Sequence, residues 1–70
     1  MKANTGDWLV VEPVHLGEHR RRGLVTGVRG PDGEPPYLVR WTETDRETLF
    51  FPGEGTRVVA AADIGRYAEG

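Results

Sequence analysis

The chain has 70 residues, enough for one small domain, and its 37% apolar content supplies only a thin core. The absence of cysteine excludes a disulfide scaffold, a thiolate metal site and a cysteine nucleophile. A formal charge of −2 disfavours a generally basic nucleic-acid binder. No apolar run approaches the ~18 residues of a membrane span, and the first residues lack a secretory signal. We therefore expect a single cytoplasmic domain over residues 1–70 that does not bind a membrane.

Ten glycines and five prolines divide the chain into short pieces rich in β-branched and aromatic residues, a pattern typical of short strands. The first predicted strand is Asp7 to Val11. Because side chains alternate along a strand, Leu9 and Val11 share one face, and Trp8 and Val10 share the other. With Leu9 and Val11 directed inward, Trp8 is expected to be half exposed.

The second predicted strand runs from Arg22 to Arg29. Its apolar residues do not keep a period of two, and Gly27 stands where a bulge would restore the register. Such a bulge bends a short sheet toward a barrel. The following residues, Gly30 to Gly33, predict a turn, because proline presets φ and glycine tolerates a positive φ.

Three more strands complete the predicted sheet. Tyr37 to Trp41 alternates cleanly and places Trp41 in the core. Glu47 to Phe51 and Arg57 to Ala60 follow, and Ala61 to Tyr67 forms a weak helical turn. The sequence thus predicts an all-β, SH3-like barrel of about five antiparallel strands. Its core spans about residues 6–60, with a C-terminal extension over residues 61–70.

Three stretches of the chain resemble a family of small actinobacterial proteins classed as a domain of unknown function. They are Gly6-Asp7, the run from Val28 to Trp41 that contains PPYLVRW, and the LFFPG motif that begins at Leu49. The resemblance extends from about Gly6 to Val58. It implies an SH3-like barrel of antiparallel strands, with no enzyme activity, no established ligand and no functional residues.

The arrangements of residues that carry catalysis are missing or misplaced. His15-Leu16-Gly17-Glu18-His19 matches the letters H-x-x-E-H of an inverted zinc-protease motif. That motif requires a helix, which the central glycine and the nearby Pro13 disfavour, so we interpret it as a polar loop. The chain contains no serine, and no threonine lies beside a histidine and a buried acid. We expect no enzyme activity, no metal and no cofactor.

Aromatic residues offer the leading hypothesis for function, which is an interaction module that binds a protein or peptide. A half-exposed tryptophan near a tyrosine or a proline commonly forms the floor of a peptide or methyl-lysine groove in SH3-like domains. Trp8, Tyr37 and Phe50 are the candidate binding residues at the barrel rim. The alternative for Trp8 is a structural residue that shields the open end of the barrel.

Two other functions remain open. Arginines can contact nucleic-acid phosphates if they share one face, and the candidates are Arg20, Arg21, Arg22, Arg29 and Arg40. The acidic residues Glu43, Asp45, Glu47 and Glu54 oppose that interpretation. A homodimer is also possible, because Phe50 and Phe51 lie on opposite faces of one strand. One of these two rings can enter the core. The other would form an exposed apolar patch unless Ile64 and Tyr67 pack over it.

Overall fold

The computed structural model describes residues 1–67 and shows five strands linked by short turns. The strands are β1 (Trp8–Val11), β2 (Arg21–Val28), β3 (Tyr37–Trp41), β4 (Glu47–Phe50) and β5 (Thr56–Val59). Short 3₁₀ segments cover Pro31–Gly33, inside the predicted turn, and Ala61–Arg66, where the weak helical turn was expected. The last part of the predicted C-terminal extension, residues 68–70, lies outside the described residues.

The five strands form one antiparallel sheet in the order β4-β3-β2-β1-β5. The predicted all-β class and the number of strands are confirmed. The pairing of β2 with β3 shifts between Val25 and Gly27, which confirms the bulge predicted beside Gly27. Closure of this sheet into an SH3-like barrel remains a prediction.

The core lies on one face of the sheet, here called the inner face. Its buried residues come from three neighbouring strands and from the N-terminal segment, and they are Ala3, Leu9, Val25, Tyr37, Val39 and Trp41. Trp41 is 2% exposed, which confirms its predicted place in the core. Gly23 pairs with both Leu9 and Trp41 and leaves the space that the indole ring occupies.

Tyr37 is fully buried, so its assignment to a binding rim is wrong. It shares the inner face with Val39 and Trp41, because residues two apart on a strand point the same way. Its hydroxyl donates to the Gly33 carbonyl oxygen at 2.8 Å. Burial raises the pKa of the Tyr37 phenol, and the nearby carboxylate of Glu34 raises it further. Tyr37 is therefore a structural residue that fastens the β2–β3 turn to the core.

The opposite face of the sheet, the outer face, carries a second set of apolar side chains. Val10 is fully buried there and Val59 is 6% exposed. Trp8 pairs with Leu24 and Val59 on this face and is only partly buried, as the sequence predicts. Both faces of β1 thus carry buried side chains, although only the inner face holds the main core.

Candidate functional site

A groove of about 410 Å³ opens where the chain leaves β1. We call it the β1–β2 groove. It is bounded by the end of β1, by the loop that leads to β2 and by the turn between β4 and β5. The lining residues are Val11, Glu12, Pro13, Val14, Gly17, Glu18, His19, Arg21 and Glu54. Its volume lies within the usual range for small ligand sites, ~300–1,000 Å³.

A backbone hydrogen bond fixes one wall of this groove, the β4–β5 turn, against the end of β1. The Glu12 N–H donates to the Gly55 carbonyl oxygen at 2.9 Å, which joins the β4–β5 turn to the end of β1. A side chain at position 55 would prevent this approach, because its Cβ would lie 2.9 Å from the Glu12 carbonyl oxygen. Gly55 also has φ +84°, a conformation that favours glycine. Glycine at position 55 therefore lets the β4–β5 turn approach β1 and form one wall of the groove.

The loop wall is a turn closed by one side chain. The His15 N–H donates to Glu18 Oε1 at 3.2 Å, and the Glu18 N–H donates to the His15 carbonyl oxygen at 3.3 Å. Val14 is 50% exposed, and Leu16, at the tip of the loop, is fully exposed. The apolar part of the groove lining thus comes from Val11, Pro13 and Val14, and Val14 remains half exposed.

The two basic side chains of the groove are already paired. His19 Nε2 lies 2.7 Å from Glu43 Oε2, and Arg21 Nε lies 3.5 Å from Glu43 Oε1. The Arg21 guanidinium also stacks on Trp41, at 4.0 Å from the ring centroid. These contacts tie the β1–β2 loop to the β3–β4 loop and to the edge of the core.

Glu43 is expected to titrate below its ordinary pKa of 4.5. The hydrogen bond from His19 is the main cause of the lowered pKa, and the charges of His19 and Arg21 add to it. A lowered folded-state pKa means that the contribution of Glu43 to stability is present above pH 4.5 and is lost as the pH falls through the lower value. A ¹³C NMR titration of the carboxyl carbon measures this midpoint. In the His19→Ala variant, which has no side-chain donor, the midpoint should move upward, and an unchanged midpoint would contradict the assigned cause.

A second carboxylate, Glu12, joins two arginines that are distant in sequence. Arg20 Nε lies 3.0 Å from Glu12 Oε1, and the Arg57 guanidinium lies 3.8 Å from Glu12 Oε2. Both guanidinium carbons lie 5.9 Å from the centroid of the Tyr67 ring. Nothing in the sequence singles out Arg57, because only the pairing of β1 with β5 brings it near Arg20.

The five arginines proposed for nucleic-acid binding do not form one surface. Arg21 belongs to the inner face, whereas Arg22 and Arg40 belong to the outer face by strand alternation. Arg29 follows the last residue of β2, roughly 25 Å from Arg21 at about 3.3 Å per residue. Arg20 is held by Glu12, as described above. Arg40 lies 3.4 Å from Asp45, although both of these side chains are mostly exposed.

The predicted aromatic rim is not assembled either. Trp8 lies on the outer face, whereas Phe50 packs on the inner face against Trp41, with ring centroids 5.0 Å apart in an edge-to-face geometry. Phe51, the other member of the aromatic pair, is 69% exposed, and its neighbour Leu49 is 51% exposed. Of the predicted rim residues, only Trp8 retains a partly accessible position away from the core.

Among residues 1–67, no group of three or more potential metal-binding side chains is present. His15 and His19 lie in the exposed loop, and His19 is engaged by Glu43. No helix in the same part of the chain is long and apolar enough to cross a membrane.

Comparison with known proteins identifies the family. Residues 1–58 match the profile of "Domain of unknown function (DUF1918)". The chain belongs to this family. The match confirms the resemblance seen in the sequence, and it covers β1 to β4 together with the groove described above.

Two uncharacterized proteins from Mycobacterium tuberculosis are similar to this chain over most of its length. The uncharacterized protein Rv0569 is 46% identical over 63 residues, which cover 90% of this chain and 72% of the relative. The uncharacterized protein Rv2302 is 40% identical over 63 residues, which cover 90% of this chain and 79% of the relative. The solution structure of the conserved hypothetical protein Rv2302 superposes with a TM-score of 0.61, covering the same shares of the two chains.

Proposed function

We propose that this chain is a non-enzymatic interaction module that binds a polypeptide segment in the β1–β2 groove. The observation that carries the proposal is the groove itself, whose lining includes the apolar side chains of Val11, Pro13 and the half-exposed Val14. Exposed apolar residues around a concave surface are typical of sites that bind other proteins. In this proposal the strands form the SH3-like barrel predicted from the sequence, and the groove takes the place of the aromatic rim.

A polypeptide fits this groove better than a nucleic acid does. Phosphate binding needs accessible guanidinium groups, and the Arg21 side chain in the groove is occupied by Glu43 and Trp41. Glu18 and Glu54 add two carboxylates to the lining, which would repel a phosphate backbone. An extended peptide can instead place apolar side chains on Val11, Pro13 and Val14.

The proposal is tested by selecting binders from a library of short random peptides. We expect the selected peptides to bind about threefold to tenfold more weakly to Val14→Ser, because burial of one aliphatic side chain contributes about 1 kcal/mol when half of its surface is covered. Fluorescence anisotropy of the labelled peptides measures this loss. ¹⁵N chemical shifts should also change at Gly17 and Glu54 when a peptide is added.

The matched control is Leu49→Ser, since Leu49 and Val14 are equally exposed but Leu49 lies on β4, outside the groove. This variant should bind the peptides with unchanged affinity. Failure to select any peptide, or a loss confined to Leu49→Ser, would overturn the proposal. Binding of mixed-sequence DNA that collapses between ~50 and ~200 mM salt would favour the arginine hypothesis instead.

A further inference from the structure

The lining of the β1–β2 groove has an unbalanced set of charges once the ion pairs that its residues form with residues outside the groove are taken into account. His19 and Arg21 are both paired with Glu43, which lies outside the groove lining. Glu12 is shared between Arg20 and Arg57, so it is neutralised as well.

Two lining carboxylates remain after these pairs are removed. Glu18 and Glu54 form no ion pair among residues 1–67, and both are exposed. Glu18 belongs to the loop wall and Glu54 to the β4–β5 turn, so each wall contributes one negative charge. The apolar part of the same lining comes from Val11, Pro13 and Val14.

We infer that the groove selects an extended segment in which a lysine or arginine adjoins an apolar residue. The apolar side chain would cover Val11, Pro13 and Val14, while the cation would lie among Glu18 and Glu54 at the groove walls. Complementary charge gives such a site its choice of partner more than its overall affinity. This inference rests on the proposed function, because it specifies the chemistry of the segment that the groove binds.

The charge of the groove also disfavours acidic peptide segments. A segment with a glutamate or aspartate at the same position would place like charges together with no free cation in the lining to compensate them. His19 and Arg21 could compensate only by releasing Glu43, which would cost the loop its contact with the β3–β4 loop. Neutral segments should therefore bind with intermediate affinity, and acidic ones should bind weakest.

Three pools of fluorescein-labelled random peptides test this order, each with one central position fixed as lysine, glutamine or glutamate. Anisotropy titrations of the wild-type chain should give affinities in the order lysine, glutamine, glutamate, with about twofold to fivefold between successive pools. The preference for the lysine pool should weaken as ionic strength rises, since the carboxylates are exposed and therefore screened.

The Glu18→Gln/Glu54→Gln double variant should remove most of the preference for lysine while still binding the glutamine pool. Glu34→Gln is the matched control, because Glu34 is an exposed carboxylate in the β2–β3 loop, away from the groove. The control should keep the wild-type order of affinities. Loss of the preference in Glu34→Gln as well would indicate a general charge effect and would overturn the inference.

The outcomes separate this inference from the proposed function. If all three pools bind equally, and binding still depends on Val14, the groove binds polypeptides without selecting a cation, and only the inference fails. If no pool binds, both the inference and the proposed function fail. A preference for lysine that disappears in the double variant supports both.

Discussion

Replacing Gly23 with alanine is expected to lower the free energy of unfolding by about 2–3 kcal/mol, the upper part of the range for overpacked cores. A Cβ at this position would overlap Val39 Cγ1 and would lie 2.9 Å from Trp41 Cε3. Both neighbours are buried, so neither can move aside into solvent. For a domain of this size, the loss corresponds to a fall in melting temperature of roughly 10–20 °C.

Thermal unfolding followed by circular dichroism measures the effect of Gly23→Ala. Gly53→Ala is the matched control, because nothing lies within 4 Å of a Cβ at Gly53 and its φ is outside the left-handed region. The control should change the free energy of unfolding by less than about 0.5 kcal/mol. A melting temperature for Gly23→Ala equal to that of the control would show that the contact among Gly23, Val39 and Trp41 is looser than the structure indicates.

The second large effect is expected for Trp41→Ala, which should lower the free energy of unfolding by about 3–5 kcal/mol. The indole is 2% exposed, meets Phe50 edge-to-face and donates from Nε1 to Thr48 Oγ1 at 2.8 Å. Its removal creates a cavity, deprives Thr48 of a donor and takes away the surface on which Arg21 stacks. Because small domains are often stable by only about 5 kcal/mol, the variant should retain no more than about 2 kcal/mol, and up to about half of its molecules should be unfolded at room temperature.

Urea unfolding and the dispersion of the ¹H–¹⁵N spectrum measure this loss. Phe51→Ala is the matched control, since it also removes an aromatic ring, but from a position that is 69% exposed. We expect a change of less than about 0.5 kcal/mol for the control. A folded, stable Trp41→Ala protein would mean that Trp41 is not central to the core.

The residues that stabilise the core also position the candidate site. Arg21 connects the two, because its guanidinium stacks on Trp41 and pairs with Glu43, which also binds His19 in the loop. A change in the core at Trp41 is therefore expected to loosen the loop wall of the groove. For this reason the binding experiments use substitutions at exposed residues, which leave the core intact.

Some failures of the sequence analysis could have been avoided. The alternation that places Trp41 in the core also places Tyr37 there, so the assignment of Tyr37 to a rim conflicted with the strand pattern. The choice of Phe50 as an exposed residue had a different origin. Alternation shows that Phe50 and Phe51 point to opposite faces, but it does not show which of those faces is covered.

The sequence by itself determined the class of fold, the number of strands, the turns between them and the bulge beside Gly27. These features depend on local properties, namely the alternation of apolar side chains and the backbone preferences of glycine and proline, which neighbouring residues reveal. The family resemblance was also visible, because its motifs are contiguous. Predicted and observed strand ends agree within one residue.

Only the tertiary structure decided where the candidate site lies. The β1–β2 groove needs Glu54 and Gly55 against the end of β1, more than forty residues apart in sequence from Glu12. The charge of the groove likewise depends on Glu43 and Arg57, which reach their partners through strand pairing. Contacts between residues distant in the chain leave no local pattern, because they arise only when the sheet brings its loops together.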